Sequence, residues 1–86
     1  MPSLQSTVAD TLRTWREMER LLAELPPASP DRETALVAAA ACRQAYRRLT
    51  GRRDPVPATI DTAESVVRSA REVMQDIRSR HTQPGL

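Results

Sequence analysis

Residues 60–77 read IDTAESVVRSAREVMQDI. Ile60, Ala63, Val67, Ala70, Met74 and Ile77 recur at spacings of 3, 4, 3, 4 and 3, and Val66 and Val73 lie alongside. Alternating steps of three and four keep apolar side chains on one stripe of an α-helix, whereas a half-buried strand needs a period of two. No Pro or Gly interrupts 59–81, a run too long for a strand and ordinary for a helix. Thr59 or Asp61 is the expected cap.

Outward from this stretch, Gly51, Pro55 and Pro57 form one break, Pro26, Pro27 and Pro30 a second, and Pro84 and Gly85 close the chain. They bound two more segments free of Pro and Gly, 4–25 and 31–50. In the first, Leu4, Val8, Trp15, Met18, Leu22 and Leu25 form a seam with Thr11 in the one gap, and Leu12 and Leu21 widen it. In the second, the seam is Ala35, Ala38 or Ala39, Cys42, Ala45 or Tyr46, and Leu49. Ser29 suits an N-cap, Pro30 the first helical position, and Asp31 and Glu33 the first turn, where the helix dipole is positive. Gly51 suits a left-handed C-cap. Exposed faces offer the pairs Arg13–Glu17, Arg20–Glu24 and Glu64–Arg68.

Short connections between long amphipathic helices predict an all-α fold, an up-down-up antiparallel three-helix bundle with helices over about 4–25, 31–50 and 59–81. Residues 1–81 form one expected domain and 82–86 an expected disordered tail.

The middle segment departs from simple amphipathicity. Residues 35–42 read ALVAAAAC, so two turns are apolar all the way round. Small alanines are tolerated at a surface, but such a helix is more often buried on two sides, and alanine lets neighbours approach closely. The core is thin as well, because Leu, Ile and Val together make up under a fifth of the chain and Phe is absent. Both features predict a homo-oligomer, most simply a two-fold dimer, or a protein partner, contacted through Leu36, Val37, Ala39, Ala40 and Ala41.

The chain has 86 residues, of which 28% are charged and 40% hydrophobic, with a net charge of +2. That is room for one domain. No apolar run approaches a membrane-spanning length, and the N-terminal residues lack the pattern of a signal peptide. All 13 basic residues are Arg, the codon bias expected of a GC-rich bacterial genome. A single cysteine, Cys42, forms no internal disulfide and suits a reducing cytoplasm.

The one local concentration of charge is Arg43, Arg47, Arg48, Arg52 and Arg53. It suits phosphate, so the alternative function is a small nucleic-acid-binding subunit of a nucleoprotein complex. A basic helix C-terminus and a soluble loop explain the same residues structurally. Trp15 is expected in the core, Tyr46 at its edge and Cys42 as an inert core thiol. His81 has no second His or Cys at metal-ligand spacing, and the acids, including Glu72 and Asp76 one turn apart, read as a solvated face. There is no Gly-rich phosphate loop and no nucleophile with a base. The expectation is no catalytic residue, no metal, no cofactor and no small-molecule substrate.

Overall fold

The computed structural model describes residues 4–51 and 57–81. They form three helices, α1 (Leu4–Glu24), α2 (Pro30–Thr50) and α3 (Pro57–His81), and each packs against the other two. The three-helix bundle expected from sequence is present, with every boundary within two residues of expectation. The segment 52–56 and the tail 82–86 lie outside the described residues, so Arg52, Arg53 and the expected disordered tail are not placed.

The helix ends follow local chemistry. Ser29 is extended (φ −71, ψ 131), and its hydroxyl oxygen accepts the Asp31 N–H at 3.3 Å. Pro30 opens α2 where its missing N–H costs nothing. α3 likewise opens on Pro57, so Thr59 and Asp61 lie inside the helix and do not cap it. Gly51 corrects another expectation. Its backbone is right-handed (φ −84, ψ −6), and its N–H donates to the Arg47 carbonyl at 2.8 Å. A Cβ at this position would stand 2.8 Å from that same oxygen, so closeness selects glycine here, not a left-handed turn.

Two arginines fix how the helices run. Arg32 near the start of α2 donates to the Leu22 carbonyl at the end of α1 (3.0 Å), which also accepts the Leu25 N–H at 3.3 Å. Arg80 at the end of α3 donates to Asp31 and to Asp76, both at 2.6 Å. Hydrogen bonding to Asp31, and then to Asp76, pushes the Arg80 pKa above its ordinary value. The start of α2 therefore lies beside the ends of α1 and α3. Among the described residues none of the three expected i,i+4 pairs forms; Asp10 instead lies 3.6 Å from Arg13 and 4.0 Å from Arg71 of α3.

The core has two parts. The larger gathers Met18, Leu21 and Leu25 of α1, Ala35, Ala39 and Cys42 of α2, and Ala70, Met74 and Ile77 of α3. The smaller, at the other end, joins Ala45, Leu49 and Ala63. The seams of α2 and α3 are those expected, except that Ile60 is half-buried.

The seam of α1 is the expected one only in part, at Thr11, Met18 and Leu25. Its buried stripe is Thr7, Thr11, Thr14, Met18, Leu21 and Leu25, while Val8, Trp15 and Leu22 are half-buried and Leu4 is exposed. The helix is turned so that its bulky flank lies toward α2, where Trp15 meets Tyr46 at a ring separation of 6.0 Å. Threonine can face the core because its hydroxyl finds an acceptor on its own helix. Thr11 donates to the Thr7 carbonyl and Thr14 to the Asp10 carbonyl, each at 2.7 Å.

These carbonyls already accept a helical N–H, so removing a hydroxyl strands no partner. Thr11→Val should leave stability unchanged or slightly raised in thermal unfolding followed by circular dichroism. A lower melting temperature would show that the hydroxyl is required.

Cys42 is 0% exposed, and burial pushes its thiol up. An acid whose folded pKa is raised stabilises the fold fully below its unfolded pKa, about 8.5, and that contribution is lost as pH rises above it. Melting temperature should therefore fall more steeply above about pH 8.5 in the native protein than in Cys42→Ala. Parallel pH profiles would exclude the thiol as the cause.

Candidate functional site

The outward side of α2 follows from its inward side. At about 100° per residue, Ala35, Ala39, Cys42, Ala45 and Leu49 share one arc and are buried. Leu36, Val37 and Ala40 must then turn away, and they do. Leu36 is 52% exposed and Val37 67%, and Ala40 is exposed as well. Ala41 is half-buried on the α3 side. Ala39, at 7% exposure, is part of the core and also lines the groove on the α1 side.

Two grooves flank this ridge. On the α3 side, a groove of about 500 Å³ runs between Val37, Ala38 and Ala41 of α2 and Val66, Ala70 and Val73 of α3, with Ser65 and Ser69 on its rim. It continues past Ala41 and Val66 into a smaller groove of about 210 Å³ that ends at Ala58 and Thr59. Among the described residues that line both, only two carry charge, Glu33 at one end and Arg48 at the other. On the α1 side, a groove of about 350 Å³ is lined by Trp15, Leu22, Leu36 and Ala40, with Glu19 and Arg43 at its edges. Trp15 thus both packs on the core and walls an open groove.

Sequence reading missed the second walls. Val66 and Val73 stand seven residues apart beside the α3 seam, with Ser69 between them; that spacing was the available signal.

Arg43 and Arg47 stand one turn apart on one face of α2, while Arg52 and Arg53 lie outside the described residues. Arg43, Arg47 and Arg48 are all exposed, but Arg43 lines the α1-side groove and Arg48 the α3-side groove. Five residues separate them, which is about 140° around the axis. Among the described residues none of the three has an ion-pair partner.

The buried Cys42 thiol is held protonated by desolvation, which is unfavourable for a nucleophile or ligand. Among the described residues no group of three His, Cys, Asp or Glu is arranged to hold a metal ion, and no helix is long and apolar enough to cross a membrane.

No family model, curated protein or solved structure matches this chain.

Proposed function

We propose that this protein is a small non-enzymatic assembly factor that works by packing the outward face of α2 on another helix. The observation that carries the reading is the exposure of Leu36 and Val37 on a ridge between two apolar grooves. Isolated exposed apolar residues need no explanation, but a ridge continuous with two grooves is the surface on which partners dock. Ala40 and Ala41 add close approach, since helices meeting at alanine come nearer than helices meeting at larger side chains. The surroundings are charged, yet this face carries almost no charge, as the centre of an interface requires. A reducing, cytoplasmic setting fits a chain whose only thiol is free and buried.

A photo-crosslinking amino acid at Val37, expressed in the native cell, should give discrete adducts of higher mass. The same residue at Gln75, exposed on the α1 side of α3, should give none. Equal labelling at both positions, or none at Val37, would overturn the reading.

A second reading, phosphate contact with nucleic acid, is favoured by the three exposed arginines that no carboxylate partners among the described residues. Each phosphate neutralised contributes about 0.9 to the slope of log affinity against log salt. Arg47→Glu with Arg48→Glu should then lower both the affinity for a duplex and that slope, measured by fluorescence anisotropy. An absence of binding at low salt would end this reading.

A further inference from the structure

The groove between α2 and α3 is unusual in where its charge lies. Its middle is built from Val37, Ala38, Ala41, Val66 and Val73, and its two charged lining residues stand at opposite ends. Neither Glu33 nor Arg48 has an ion-pair partner among the described residues. Both belong to α2, fifteen residues apart, or about 22 Å along the axis at ~1.5 Å per residue.

A helix suited to this groove needs a positive group opposite Glu33, a negative group opposite Arg48, the same 22 Å or so between them, and small side chains at the crossing. α2 itself meets all four conditions when it is reversed. The geometry points to a second copy of this chain as the occupant, with α2 laid antiparallel on α2 about a two-fold axis between Ala40 and Ala41. This inference rests on the proposed docking role of α2 and specifies its partner.

In that register residue i faces residue 81 − i of the partner copy. Glu33 meets Arg48 of the other copy twice, once at each end, as an isologous contact requires. The two alanines fall at the crossing point, where an interaxial distance near the short end of the usual 8–10 Å range is accessible. Each α2 then seats in the α2/α3 groove of the other, so that Val37 leaves solvent in both copies. A parallel arrangement would set Glu33 against Glu33 and Arg48 against Arg48, placing like charges together at both ends.

The test is a charge swap read by sedimentation equilibrium. The native chain should sediment at twice its 9.6 kDa mass. Glu33→Arg alone and Arg48→Glu alone should each weaken association by about tenfold, because each converts two attractive pairs into repulsive ones. The double variant restores opposite charges at both ends and should return to near the native dissociation constant. Both changes are at exposed positions, and circular dichroism verifies that each variant folds. As a second measurement, in a Cys42→Ala background, Ala40→Cys should form an intermolecular disulfide. Thr34→Cys should not, since its counterpart would lie about 20 Å away along the axis.

A native chain that stays monomeric at its highest soluble concentration overturns the self-docking inference. The Val37 adducts then still decide whether the face binds a different protein. A dimer that Val37→Glu dissociates but the double swap fails to restore overturns the antiparallel register and leaves the docking face standing. A dimer indifferent to Val37→Glu overturns both.

Discussion

α2 takes up very little room, and the rest of the bundle is shaped by that. Four of its five buried positions are Ala35, Ala39, Ala45 and Cys42, and only Leu49 is large. Side chains of this size draw α1 and α3 inward. The large side chains of the core come from the other two helices, Met18, Leu21 and Leu25 on α1 and Met74 and Ile77 on α3, with Ala63, Ala70 and the threonines of α1 between or beyond them. The same economy holds on the outside of the helix. Alanines there cover little of the backbone cylinder, so a neighbour can come close on that side too. The thin core and the open outward face thus share one cause.

The architecture was legible where periodicity was unambiguous. On α3 the apolar residues keep one strict alternation and the flanks are charged, so the buried stripe had one solution. On α1 two apolar stripes compete. Leu4, Val8, Trp15 and Leu22 form one, while Met18, Leu21 and Leu25 extend the other only through Thr7, Thr11 and Thr14. Hydrophobicity alone favours the first. The second prevails because a threonine hydroxyl is satisfied by its own helix, something a count of apolar residues does not register. Gly51 was misjudged for a related reason: glycine signals a need for space as readily as a need for left-handed backbone, and the sequence does not say which.

The outward face was partly legible. An uninterrupted apolar run, 35–42, announces that some of its members must face away from the core. It leaves the rotation open, however, and Ala39 could be assigned only when Ala35 and Cys42 were seen to fix the inward arc. The α3 wall was harder to read, because Ser65 and Ser69 resemble ordinary solvent-facing residues and only their company with Val66 and Val73 makes them a groove. The arginines are legible only in part: Arg43 and Arg47 share a face one turn apart, whereas Arg48 turns toward the α3 side.

The bundle is not equally firm along its length. At one pole Arg32 closes the end of α1, Arg80 joins α3 to α2, and the large Met, Leu and Ile side chains interlock. At the other the interior is threonine and alanine, with few bulky groups to resist opening. Leu36 and Val37 belong to the half of α2 nearer the firm pole, whereas Arg47 and Arg48 belong to the half nearer the yielding one. A partner meeting the first half encounters a shape already set, so little conformational freedom is surrendered on contact. A ligand gripping the second half meets a frame with fewer bulky side chains between its helices, which biases this molecule toward rigid recognition at the pole of the larger core.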